Sequence, residues 1–114
     1  MPAPVLSSIP RPVATSMRRW RQRLDALDRD LVGLLCRRSN VSVRIARLKH
    51  QAGLPLYARG REGEILRLVR AGVRAPLTPL AIERIFRAIL SEMRAAQRRH
   101  GGARVRRKRA QGPQ

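Results

Sequence analysis

Apolar side chains recur in a three-four alternation at Trp20, Leu24, Leu27, Leu31, Leu34, Val41, Ile45 and Leu48. That spacing predicts one long amphipathic helix, with this stripe turned toward a core. Ser16 suits the N-cap of such a helix, and Gly53 with Pro55 just beyond suits its end. Gly33 is a tolerable interruption, costing about 1 kcal/mol against alanine. The position after Leu34 in the series should be apolar, and it is Arg38. Lys49 follows Arg38 by eleven residues, which places it about 20° around the helix from Arg38. A charge on a buried face costs several kcal/mol unless something pairs with it. No acid in the stripe can do so, and the expected partner is an anionic ligand.

Two further helices follow. The loop GLPLYARG ends at Gly60, and a short helix is predicted from Arg61 to about Arg74, its apolar side Ile65, Leu66, Leu68 and Val69. Glu62 lies in its first turn, where the helix dipole favours an acid. Thr78-Pro79 reads as a helix start, with threonine as N-cap and proline at the first helical position. The third helix runs to about Arg99 on the stripe Ile82, Ile85, Phe86, Ile89, Leu90 and Met93, and then Gln97. Gln97 is a second polar intruder on an apolar side, where an amide needs partners. With no strand signal, the predicted fold class is all-α, three helices in long-short-long order. The first helix would be ~54 Å long, against ~30 Å for a compact domain of this size. It overhangs any core one chain can build, so Trp20, Leu24, Leu27 and Leu31 call for a second chain. The expectation is an intertwined homodimeric helix bundle with twofold symmetry.

The two ends read differently from the middle. Residues 1–15 are Pro-rich, without periodicity, and are expected to be a disordered lead; residues 16–100 form the helical domain. Residues 101–114 open with Gly101-Gly102 and carry five cations between Arg104 and Arg109, and are expected to be a basic, solvated tail. The formal charge is +19, supplied almost wholly by arginine, with lysine only at Lys49 and Lys108. That bias makes Lys49 unusual and suggests that a compact point charge is wanted there. Cys36 is the only cysteine; it reads as a small buried hydrophobe and builds no metal set with His50 and His100. No apolar run approaches a membrane span. The prolines at Pro4, Pro10 and Pro12 break up any signal-peptide core, so a soluble, cytoplasmic protein is expected.

The polar groups standing where core residues belong are Arg38, Lys49 and Gln97. Arg61 and Glu62 join them by opening a helix just after the loop that returns from Lys49. Two or three cations, one acid and one amide around a bundle interior suit a small dianion. The set holds no nucleophile with a paired base, no metal ligands and no glycine-rich phosphate cradle, so no cofactor and no metal are expected. Arg21 is a further candidate. Seventeen residues separate it from Arg38, about 25 Å along the helix. It could meet the same ligand only from the partner chain of an antiparallel dimer.

These residues resemble the all-helical chorismate mutase family over roughly Trp20 to Arg99. The likeness is carried by LDALDRDLVGLLCRR, by Lys49 eleven residues after Arg38, by LPLYARGREGEIL, and by IFRAILSEMRAAQ, in that order. The resemblance implies an intertwined dimer of three-helix chains and rearrangement of chorismate to prephenate, a step of the shikimate pathway toward aromatic amino acids. It implies that Arg38 and the partner chain's Arg21 clamp the two carboxylates of chorismate. By the same resemblance Lys49 and Gln97 donate to the ether oxygen, Glu62 accepts from the ring hydroxyl, and Arg61 frames that end. The chemistry agrees with these residue types, because a concerted [3,3] shift needs no nucleophile. It needs the enolpyruvyl arm held over the ring and the growing negative charge on the ether oxygen stabilised. The chain departs from the family pattern at Ala58, where an aspartate is frequent, and at Met93, where a small polar residue is common.

Those departures keep an amino-substituted chorismate open as substrate, as in aminodeoxychorismate mutases. Isochorismate-pyruvate lyase shares the arginines, lysine and glutamine, and Glu62 weighs toward the mutase. A mutase-like subunit that is inactive without an activating partner enzyme is another reading. A basic helical dimer that binds nucleic acid is the rival from a different class. Against it stand few aromatics for stacking and cations that point inward.

Overall fold

The computed structural model describes residues 8–102; the Arg104–Arg109 run lies outside the described residues. Three α-helices follow one another: α1 over Arg11–Gln51, α2 over Arg61–Gly72 and α3 over Pro79–Gln97, the last continued by a π-helical turn over Arg98–Gly102. The all-α, long-short-long architecture is the one the periodicity predicts. No described helix is long and apolar enough to cross a membrane. The chain divides into two compact units, 1–37 and 38–114.

α1 begins earlier than its stripe predicts. Residues 11–15, expected in the disordered lead, are helical, and Ser16 lies inside the helix rather than capping it. Pro12 does not prevent this, because the first turn contains N–H groups that have no intrahelical acceptor anyway. The first regular bond is already made from the Ala14 N–H to the Pro10 carbonyl, at 3.0 Å.

The end of α1 follows the sequence signals. The Leu54 N–H reaches back to the Lys49 carbonyl at 2.8 Å and the Gly53 N–H to the His50 carbonyl at 3.2 Å. Gly53 has φ of 70°, so the pair forms the double-bonded stop that glycine favours. Gly60, at φ 88°, turns the chain into α2, and the connection to α3 contains a cis Ala75–Pro76 bond. Thr78 caps α3 by accepting from the Ala81 N–H at 3.1 Å, with Pro79 opening the helix as expected.

Within residues 38–114 the core is small. Leu66 of α2 and Leu90 and Met93 of α3 are buried, and α2 packs on α3. Glu83 of α3 ties the same two helices by pairing with Arg70 at 3.1 Å, while also meeting Arg87 at 3.6 Å. On α2, Ile65 and Val69 are half-buried as expected, whereas Leu68 is exposed. α1 enters this core through Ser42 and Ala46. That corrects the expected packing face: Leu34, Val41 and Leu48 are each more than half exposed in the single chain, and Ile45 is nearly so. The side chains that meet α3 lie one position along from the leucine stripe. The reason is steric. Gly101 approaches Ala46 so closely that a Cβ on it would stand 2.6 Å from the Ala46 Cβ, and one on Gly102 would stand 3.1 Å from His50 Nδ1. Only small residues on both sides permit that approach. The Arg47 Nε donates to the His100 carbonyl at 3.3 Å beside it.

In the unit of residues 1–37, Trp20, Leu24, Leu27 and Leu31 are all more than half exposed. The Arg23 guanidinium stacks on the Trp20 ring, 5.1 Å from its centre. Cys36, expected to be buried, is exposed.

The Gly101–Ala46 contact sets a stability test. Gly101→Ala should lower stability by about 1–3 kcal/mol, the usual cost of overpacking. Ala46→Gly should then cost less in the Gly101→Ala background than in the parent, since it removes the colliding methyl. Denaturant unfolding of the four proteins measures both effects, and additive costs would contradict this packing.

Candidate active site

A cavity of about 530 Å³ opens inside the unit of residues 38–114. α1 contributes Ser42, Ile45 and Lys49, the loop contributes Leu56 to Arg59, α2 contributes Arg61, Glu62, Glu64 and Ile65, and α3 contributes Leu90, Met93, Arg94 and Gln97, with Arg98 just beyond. The cavity therefore lies where the end of α1, the start of α2 and the last turns of α3 converge.

Two of its donors are held by backbone carbonyls. The Lys49 Nζ donates to the Leu56 carbonyl at 3.0 Å, which ties the loop back to α1. The Gln97 Nε2 donates to the Ser42 carbonyl at 3.0 Å, which ties α3 to α1. Each bond uses part of the group's capacity. An ammonium has three N–H bonds and an amide nitrogen two, so both keep donors for a ligand. Holding them from behind fixes where those donors stand, which is the condition for electrostatic stabilisation without reorganisation.

The acids of the cavity are held as well. The Arg94 Nη1 donates to the Glu62 Oε2 across α2 and α3. Arg61 and Glu64, one turn apart on α2, approach to 3.9 Å on the exposed side. Five cations, Lys49, Arg59, Arg61, Arg94 and Arg98, stand against two acids, Glu62 and Glu64. Such a wall suits an anion, with an apolar floor at Ile45, Ile65, Leu90 and Met93.

Of the residues expected at a site, the structure brings together Lys49, Ala58, Arg61, Glu62, Met93 and Gln97. Arg38 is half-buried on α1, one turn before Ser42, and is outside the lining of the cavity. Arg21 belongs to the unit of residues 1–37 and is exposed. The sequence reading missed Arg94, Arg59 and Arg98 at this cavity. Arg94 carried a usable signal: it lies three residues before Gln97 and one after Met93, hence on the flank of the same face. In a chain with so many arginines, nothing in composition singled it out.

The model of the family chorismate mutase type II matches residues 20–98. Among curated proteins, the chain is 35% identical over 86 residues to the T-protein of Haemophilus influenzae, covering 71% of this chain and 22% of that protein. The chain thus spans about a fifth of the length of the curated relative it matches. Among solved structures, it is similar to a chorismate mutase (form II) from Thermus thermophilus, with a TM-score of 0.71 and 27% identity, over 74% of this chain and 96% of that one. The matched residues contain α2, α3, most of α1 and the whole cavity lining, and the chain belongs to the chorismate mutase type II family.

Proposed function

We propose that the chain converts chorismate to prephenate in the cavity between α1, α2 and α3. The observation that carries this reading is the convergence of Lys49 and Gln97 on one anion-suited cavity, each anchored from behind by a carbonyl. Family membership and the similarity to a solved chorismate mutase support the same activity.

In this reading chorismate lies with its ether oxygen toward Lys49 and Gln97. The breaking C–O bond runs ahead of C–C bond formation, so negative charge grows on that oxygen. An ammonium and an amide N–H stabilise it more in the transition state than in the ground state. Glu62 accepts from the ring hydroxyl through the carboxylate oxygen that Arg94 leaves over, and Arg61 frames that end. Arg38 lies one turn before Ser42 on the same face of α1, where its guanidinium can bind a substrate carboxylate at the open side of the cavity. The second carboxylate needs another cation, and Arg21 of a second copy supplies it. The same second copy would cover Trp20, Leu24, Leu27 and Leu31, so the active form in this proposal is a homodimer with shared sites. A cytoplasmic location goes with this biosynthetic activity.

Loss of chorismate absorbance, with the product identified by chromatography, tests the activity. Prephenate is the expected product, and a folded dimeric protein that leaves chorismate untouched would remove the proposal. Lys49→Ala should reduce kcat by about two to three orders of magnitude, the usual cost of one oxyanion donor, with dimer and helix content unchanged. A mixing experiment tests the shared site. Arg21→Ala and Lys49→Ala dimers, each nearly inactive, should regain activity when unfolded together and refolded, since a mixed dimer collects both defects in one site and leaves the other intact. Absence of regain would place Arg21 outside the partner's site.

A further inference from the structure

Arg94 is a cavity residue to which the proposed mechanism gives no task of its own. It lines the cavity beside Gln97 and Met93 and binds the Glu62 carboxylate from across the α2–α3 contact. The pair is partly buried: the Arg94 side chain is 39% exposed and that of Glu62 is 29% exposed. Of the neighbouring lining residues, Ala58 is uncharged and Met93 is apolar, while Glu64 is more than half exposed and already close to Arg61. Lys49, Arg59 and Arg98 meet no acid in an ion pair among the described residues.

Resting on the proposed chorismate chemistry, we infer that Arg94 determines specificity at the ring end of the cavity, selecting a ring hydroxyl over a ring ammonium. The argument is a charge balance. A hydroxyl is neutral, and it can donate its proton to the Glu62 oxygen that Arg94 does not hold. An amine on the same ring carbon is an ammonium at neutral pH. It would approach a carboxylate whose charge a guanidinium already balances, with that guanidinium alongside. Arg94 and Glu62 are both partly withdrawn from solvent, so a like charge at contact distance there costs more than it does in bulk water. Glu62, which by itself would attract an ammonium, is thereby made into a hydroxyl acceptor. Arg94 is therefore a positioning residue for Glu62 and a repulsive element against the cationic analogue, the second half of specificity by design against a competitor.

The test compares chorismate with its 4-amino-4-deoxy analogue on the full-length protein, by kcat/KM and by titration calorimetry of each ligand. The parent protein should favour chorismate by at least about tenfold, equivalent to about 1.4 kcal/mol. Arg94→Gln should bring the two ligands within about threefold of one another, with most of the change arising from better use of the amine. Arg94→Lys, which keeps the charge, should retain the preference. Circular dichroism and size-exclusion chromatography establish that each variant is folded. A purely structural arginine would lower both ligands together and leave their ratio where it was, and that result overturns the inference. So does a parent protein that favours the amine or binds both alike. Failure of the activity itself reads differently: no turnover of either compound, with chorismate still bound preferentially and the preference lost in Arg94→Gln, sustains the selection and removes the mutase reading. Binding of neither compound removes both.

Discussion

The whole arrangement depends on how closely α1 can approach the end of α3. Ser42 and Ala46 on one side and Gly101 on the other leave no bulky side chain between the two backbones. At that separation the Gln97 amide reaches the Ser42 carbonyl, and the same register sets Lys49 two turns further along α1, level with the loop that it holds through Leu56. Larger residues at these positions would lift α3 away and separate the two donors. The π-helical turn over Arg98–Gly102 belongs to the same contact, since one extra residue in that turn is what brings Gly101 and Gly102 to face Ala46 and His50. Packing and candidate site are thus one feature here, with the two donors placed by the close approach of Gly101 to Ala46.

Electrostatics follows from that placement. A cavity wall with more cations than acids would be costly if it were closed, but each of these cations keeps part of its side chain in water. The two acids moderate the excess without cancelling it. Glu62 pairs with Arg94 and Glu64 with Arg61, so that the residual positive charge of the lining is left on Lys49, Arg59 and Arg98. A dianion bound there replaces water around charges that are only partly hydrated already, and this limits the desolvation cost that binding must overcome.

Much of this was legible in the sequence, for reasons that differ from element to element. The helix ends at Gly53 and Thr78 were readable because caps are local chemistry: a glycine at positive φ and a threonine oxygen over a free N–H need no tertiary information. Lys49 and Gln97 were readable because a polar residue interrupting an apolar stripe has few explanations. The packing face of α1 was not. Periodicity weights large side chains, and it therefore found the leucine stripe, whereas the contact inside the chain uses Ser42 and Ala46, which carry little hydrophobic signal. The start of α1 was hidden by prolines that a helix tolerates in its first turn. Arg94 was hidden because its meaning comes from Glu62, thirty-two residues away, and no pattern within one helix contains that pairing.

The leucine stripe itself then acquires a different sense. Within a single chain it is a liability, since Trp20, Leu24, Leu27, Leu31, Leu34, Val41 and Leu48 expose large apolar surfaces along one side of one helix. A helix with one packing face made of small residues and a second made of large ones is built for two different neighbours. The small face meets α3 of its own chain, where the approach must be close enough for Gln97 to reach a carbonyl. In the proposed homodimer the large face would pack on a second helix of the same kind, gaining about 25 cal/mol for each Å² of apolar surface removed from water. Arg38 interrupts the large-residue series and also stands one turn from Ser42, so it lies at the meeting of the two faces. In the proposed mechanism a cation in that position would serve a ligand enclosed only when both neighbours are present: the cavity within one chain would take the ether and ring ends of the substrate, and association with a second copy would complete the carboxylate end.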